Sequence, residues 1–184
     1  MNILILGGTG AMGAHVIELL KKKGYDITVT SRKARASGNS VTYIQGNAKD
    51  NAFIDNICKQ HWDCIIDFMV YSTELLKSRI DMLLNATDQY VFISSARVYA
   101  DSSERLTEES PRLLEMCTDK EYLATDEYAL AKAKEENILF SASKNNWTIV
   151  RPSLTYSETR LQLGVYEKEN WLYRALHGLS LIHI

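Results

Sequence analysis

The apolar residues of this chain come in short runs separated by longer amphipathic stretches. Residues 2–6, NILIL, read as a strand buried on both faces, since so continuous a run leaves no side for solvent. After GGTGAMG, the residues Ala11, Val16, Ile17, Leu19 and Leu20 recur at helical spacing, and the stretch closes on Lys21, Lys22, Lys23 and Gly24. Basic residues in a last turn followed by glycine mark a helix C-terminus. The β-branched stretch DITVT (26–30) and the shorter VTYI (41–44) predict two more strands. A helix is expected over 51–60, a strand over 64–68 (CIIDF), a helix around 73–86 and a buried strand over 90–94 (YVFIS). A polar stretch at 101–124 precedes a long helix over 125–144, with Thr125 as its N-cap, and WTIV (147–150) forms the last strand.

Strand and helix in repeated alternation predict an α/β fold, a Rossmann-like doubly wound parallel sheet with helices on both faces. No internal repeat or low-complexity segment interrupts the pattern. Residues 151–178 read as a loop followed by an amphipathic helix, too little for a second domain. The terminal LSLIHI matches a translated sequencing adapter, so residues 179–184 are expected to be a non-native tail on a reading frame truncated near Gly178; a genuine short strand is the alternative.

At 184 residues the chain is expected to be one domain with a real core. An apolar fraction of 46% with 24% charged residues fits an ordinary globular protein, and a net charge of −2 argues against a nucleic-acid-binding surface. No run of apolar residues is long enough to span a membrane, and NILIL lacks the basic flank and cleavage site of a signal peptide. Cys58, Cys64 and Cys117 have no metal or disulfide spacing and fit buried thiols in a reducing cytoplasm. His15, His61, His177 and His183 share no ligand spacing, so no metal is expected.

The glycines of GGTGAMG satisfy G-x-G-x-x-G at Gly8, Gly10 and Gly13, and G-x-x-G-x-x-G at Gly7, Gly10 and Gly13. Between a strand and a helix, such a loop turns tightly, lets backbone approach a pyrophosphate, and points helix N–H groups at it. Gly7, Gly10, Ala11, Met12 and Gly13 are therefore the expected phosphate contacts; a bare glycine turn is the alternative. No G-K-[ST] follows, which excludes a nucleoside-triphosphate P-loop. At the end of the second strand, where an NAD site carries an acidic residue, the chain has Ser31, Arg32 and Lys33. These cations favour NADP(H) over NAD(H), unless they are simply a solvated loop. Asn47, after the third strand, is placed to meet an adenine edge.

Tyr128 and Lys132 lie four apart and share one helix face. Alone they could be a core aromatic and a snorkelling lysine. Ser94-Ser95 ends the YVFIS strand, on the same edge of the sheet as the glycine loop, where open α/β sheets bind ligands. The ordered set GGTGAMG, FISSARVYA, Tyr128-x-x-x-Lys132 and Arg151-Pro152 resembles the extended short-chain dehydrogenase/reductase superfamily, and within it the NAD(P)-dependent epimerase/dehydratase family of sugar-nucleotide enzymes. The resemblance covers residues 1–156, which it makes an NAD(P)-binding Rossmann domain, and makes residues 157–178 the start of a substrate lobe.

The resemblance implies a catalytic triad of Ser95, Tyr128 and Lys132. It places Ser95, Tyr128 and Tyr156 against substrate, and Lys132 and Pro152 against the nicotinamide end of the cofactor. A tyrosine serves as a base only when its phenolate is stabilised, here by the Lys132 ammonium and an oxidised nicotinamide. Relatives that remove water carry Asp-Glu after the Ser/Thr; Ala96 and Arg97 stand there, which disfavours dehydration and leaves epimerisation or keto reduction. Ala100 replaces a family glycine, and Phe68-Met69-Val70 replaces the family's apolar-Ala-Ala after the fourth strand. Asp67, at that strand's end, reads as a satisfied loop carboxylate, the acidic residues of 101–109 as a solvated loop, and Trp147, Trp171 and Tyr173 as packing residues. The expected function is a sugar-nucleotide epimerase or reductase, with a homodimer open; the rival is a non-catalytic NADP-binding regulator or RNA-associated protein on the same fold.

Overall fold

The computed structural model describes residues 1–38, 40–155, 162–163 and 166–180. Six strands, β1 (Asn2–Leu6), β2 (Asp26–Ser31), β3 (Val41–Gln45), β4 (Trp62–Asp67), β5 (Thr87–Ile93) and β6 (Trp147–Val150), form one sheet in the order β3-β2-β1-β4-β5-β6. Every pairing is parallel, with Ile3 opposite both Ile27 and Cys64, and Phe92 opposite both Asp67 and Ile149. The winding reverses between β1 and β4, the point at which such sheets open a crevice beyond their carboxyl ends.

Alternate side chains of each strand feed two cores. On one face Leu4, Leu6, Ile65, Tyr90 and Phe92 pack with residues from α2 (Asn51–Ile57), α3 (Thr73–Asn85) and the long helix Tyr128–Phe140. On the other, Ile3, Ile5, Ile27 and Val29 meet Ile17 of α1 (Ala11–Lys22). The apolar residues of β1 are therefore shared between faces, as a doubly covered strand requires.

The boundaries differ from the sequence reading where polar residues join an element. β4 begins at Trp62 and β5 at Thr87, because Trp62 and Thr87 pair with each other although the flanking residues are polar. The stretch 101–124 contains two single-turn helices, α4 (Leu113–Met116) and α5 (Lys120–Leu123), too short to show periodicity. The following helix, α6, spans Tyr128–Phe140, not 125–144. Its cap is Glu127, whose carboxylate accepts from the Ala129 N–H, whereas the Thr125 hydroxyl donates to the Tyr122 carbonyl and closes the turn after α5. Beyond β6 lie the antiparallel two-residue strands β7 (Gln162–Leu163) and β8 (Tyr166–Glu167), then α7 (Lys168–Leu176).

Among the described residues no helix is long and apolar enough to cross a membrane, and no three His, Cys, Asp or Glu side chains are grouped to hold a metal ion. Cys58, Cys64 and Cys117 are free and half-buried, and burial pushes the Cys58 and Cys64 thiols up to about 11. Trp147 packs on Phe140 with ring centres 5.6 Å apart, but Tyr173 is exposed and stacks on His177.

Candidate functional site

The loop between β1 and α1 is shaped by its glycines. Gly7 takes φ +70°, a left-handed conformation that L side chains rarely adopt, with the Met69 thioether lying close against it. Gly13, in the first turn of α1, packs so closely on the Gly8 backbone that a Cβ would collide with it. Gly10 faces open space, and as N-cap it offers no side chain to the first N–H groups of α1. Those donors, together with the positive end of the helix dipole, suit a phosphate.

Beside the loop lies a cavity of about 510 Å³, lined by Gly7 and Gly10, by Ser31 at the end of β2 and Arg32 after it, and by Asn47 and Lys49 after β3, with no Asp or Glu among the described residues of its wall. Phe68, Met69 and Val70, from the segment after β4, also line it. Backbone donors, an open glycine and cations without carboxylates fit the phosphates and adenosine of a dinucleotide.

The structure sorts the residues expected here. Gly7, Gly10, Ser31, Arg32 and Asn47 line this cavity, whereas Lys33 does not. The Ser31 hydroxyl donates to the Lys33 carbonyl (2.8 Å) and accepts from the Lys33 N–H (3.3 Å), which ties the hydroxyl into a local turn. The Asn47 side-chain oxygen accepts from the Lys49 N–H at 3.1 Å. Ala11 and Met12 instead line a second, apolar cavity of about 570 Å³ on the α1 side of the sheet, with Ile66, Ile93 and Val150.

At the end of β5 the chain turns through a 3₁₀ turn, Ala96–Val98, whose N-cap is Ser95. The Ser95 hydroxyl accepts from the Arg97 N–H at 3.2 Å and is nearly buried. Arg97 then bridges to α6: its guanidinium donates to the Glu127 carboxylate (2.8 Å) and lies over the Tyr128 ring, 5.6 Å from the ring centre. Ser95 and Tyr128 are thus held on neighbouring segments by one arginine, with Tyr128 39% exposed.

Lys132 has a different setting. It is buried, with its ammonium 2.8 Å from Glu135 Oε2 and 4.6 Å from the centre of the Phe92 ring. The other Glu135 oxygen is buried without a hydrogen-bond partner among the described residues. Nearby, Asp67 is fully buried and satisfied: it accepts from the Met69 N–H (2.9 Å) and from the hydroxyls of Tyr71 and Tyr90 (2.8 Å each). Asp67 is therefore a satisfied carboxylate, at a buried strand end.

A second buried carboxylate ties the edge together. Glu136 accepts from Ser94 Oγ (2.6 Å), from Arg112 (3.2 Å) and twice from Arg151 (2.8 Å each), and Arg151 also donates to the Tyr99 hydroxyl. These bonds to Glu136 raise the Arg151 pKa further above its ordinary value. Sequence reasoning missed Glu135, Glu136 and Arg112 as site neighbours; the one signal was the placement of Glu135 and Glu136 one turn after Lys132. Pro152 accepts from the Ala96 N–H through its carbonyl (2.9 Å), which brings the segment after β6 against the Ser95 turn. Tyr156, expected at the substrate, lies outside the described residues.

The fold and sequence have known counterparts. The Bordetella bronchiseptica enzyme WbmH, solved in complex with NAD+, matches with a TM-score of 0.68 at 16% identity, over 98% of this chain and 64% of that one. UDP-glucuronic acid 4-epimerase from Bacillus cereus, solved in complex with NAD, gives a TM-score of 0.71 at 15% identity, over 98% and 64%. Among curated proteins, the chloroplast stem-loop binding protein of 41 kDa b of Arabidopsis thaliana is 26% identical over 192 residues, 95% of this chain and 46% of that protein. The chain therefore spans about half the length of the curated relative and under two thirds of these structures. A model of the NAD dependent epimerase/dehydratase family matches residues 3–178, nearly the whole sequence, and the chain belongs to that family.

Proposed function

We propose that this chain is the dinucleotide-binding part of an NAD(P)-dependent sugar-nucleotide epimerase or reductase, with residues 1–156 as that unit and residues 157–178 beginning the substrate side. The observation that carries this reading is the coupling of the Ser95 turn to the first turn of α6 through Arg97, at the edge of the sheet that also bears the glycine loop. A nicotinamide dinucleotide bound at Gly7 and Gly10 supplies hydride acceptance and return. Tyr128 takes the proton from a sugar hydroxyl and gives it back in the reverse step. Ser95 hydrogen-bonds the same oxygen and fixes its approach. Lys132, one turn along α6 from Tyr128, contributes an ammonium that Glu135 holds in the structure. The cavity containing Arg32, with no carboxylate among its described lining residues, supports NADP(H) over NAD(H).

The test uses the full-length protein with UDP- and GDP-sugars and added dinucleotide. The wild type is expected to convert at least one sugar, and Tyr128→Phe to lower kcat by about a hundredfold or more while dinucleotide affinity stays within about twofold. A wild type that leaves every nucleotide sugar unchanged overturns the reading.

One finding favours a second reading, a dinucleotide-binding protein that acts on RNA: the Arabidopsis relative is named for stem-loop binding. A gel-shift titration with stem-loop RNA at physiological salt separates the two. Specific retention there, without sugar turnover, selects the second reading.

A further inference from the structure

We infer that Lys49, together with Arg32, is the cation pair that selects a phosphate on the adenosine ribose, and that Lys33, the more obvious lysine in the sequence, takes no part. The inference rests on the reading that the groove beside the glycine loop receives a dinucleotide, and it names the residue that decides which one.

Three observations converge on Lys49. Among the described residues, Arg32 and Lys49 are the two cations in the cavity wall, which contains no carboxylate. Both side chains are exposed, and neither makes an ion pair or hydrogen bond through its charged end among the described residues. They come from adjacent strand ends: β2 and β3 pair in register up to Ser31 opposite Gln45, and the Gly46 N–H donates to the Ser31 carbonyl at 2.9 Å.

The loop that carries Lys49 is also fixed from below. Arg79 of α3, 1% exposed, donates to the carbonyls of Ala48 (2.6 Å) and Lys49 (2.8 Å) and to the side-chain oxygen of Asn51. The one acidic neighbour in sequence, Asp50, is engaged elsewhere, accepting from the N–H groups of Ala52 (2.8 Å) and Phe53 (3.3 Å) as the N-cap of α2. The backbone at Lys49 is thus held beside the cavity, and its ammonium has no ion-pair partner among the described residues. Lys33, although next to Arg32 in the chain, lies outside the cavity wall.

A ribose 2′-phosphate brings close to two negative charges where NAD has a neutral hydroxyl, and charge-assisted contacts to it depend on both cations. The 184-residue protein is titrated with NADPH and NADH, and with the fragments 2′,5′-ADP and 5′-AMP, which isolate the contribution of that phosphate. Lys49→Ala and Arg32→Ala are each expected to weaken NADPH and 2′,5′-ADP by about tenfold, with NADH and 5′-AMP within about twofold and Lys33→Ala silent throughout. If Arg32→Ala weakens 2′,5′-ADP and Lys49→Ala does not, the Lys49 assignment is overturned and the NADP reading stands. Equal loss of 5′-AMP in Lys49→Ala also overturns it, because the lysine then serves the shared nucleotide. Wild-type protein that binds NADH as tightly as NADPH overturns both.

Discussion

Gly13 shows how little freedom single positions have in this site. Its missing side chain lets α1 sit directly on the Gly8 carbonyl, and that contact sets where the N-terminus of α1 points. Because the obstacle is backbone, a methyl group cannot be accommodated by a rotamer change. Gly13→Ala is expected to lower stability by about 1–3 kcal/mol, read by urea denaturation, and to weaken dinucleotide binding by pushing α1 off the loop. Gly10→Ala, whose Cβ meets nothing within 4 Å among the described residues, serves as the control: it leaves the fold intact and affects only binding. Equal stability losses in the two variants would contradict this account.

Among the elements, those with continuous apolar runs were legible in the sequence and those defined by polar contacts were not. β1, β2 and β3 fall within a residue of their predicted bounds, since their cores are written in the apolar pattern. α6 starts three residues late, because both Thr125 and Glu127 can cap a helix and only the turn after α5 decides between them. The positions of Ser95 and Tyr128 were legible from their order along the chain. The Lys132–Glu135 pair was not, because an i,i+3 Lys–Glu spacing reads equally well as a solvated surface pair. Arg79 was hidden for the same reason: an arginine on a helix is expected to face water, yet this one is buried under the β3–α2 loop. Arg79→Leu leaves the Ala48 and Lys49 carbonyls without their donors. It is expected to cost about 3 kcal/mol in a urea titration and to weaken NADPH binding through the loosened loop. Unchanged NADPH affinity in a folded Arg79→Leu protein would show that the loop holds its shape unaided.

For the molecule as a whole, the buried group around Lys132 makes stability depend on pH. β4 supplies Asp67, the segment after it Tyr71, β5 supplies Tyr90 and Phe92, and α6 supplies Lys132 and Glu135; Arg79 of α3 lies over the Tyr71 ring. Burial raises the Asp67 pKa against the lowering effect of its three hydrogen bonds and of Lys132. Burial likewise raises Glu135 against the pull of Lys132, and Asp67 adds to the rise. Burial also lifts the phenols of Tyr71 and Tyr90 well above their ordinary range, so they stay neutral donors. Two carboxyls facing one ammonium out of water favour retention of a proton. A carboxyl whose folded pKa exceeds its unfolded value binds more protons in the native state. Its stabilising contribution is therefore complete below the unfolded pKa and is lost as pH rises through the folded one. Glu135→Gln removes one titrating group and keeps an amide oxygen for the Lys132 ammonium. The stability difference, wild type minus Glu135→Gln, is expected to be most favourable to the wild type near pH 4 and to shrink as pH rises, measured by urea denaturation from about pH 4 to about pH 9. A difference that stays level across that range would mean that Glu135 titrates alike in the folded and unfolded chains, and that the Lys132 charge is balanced without a retained proton.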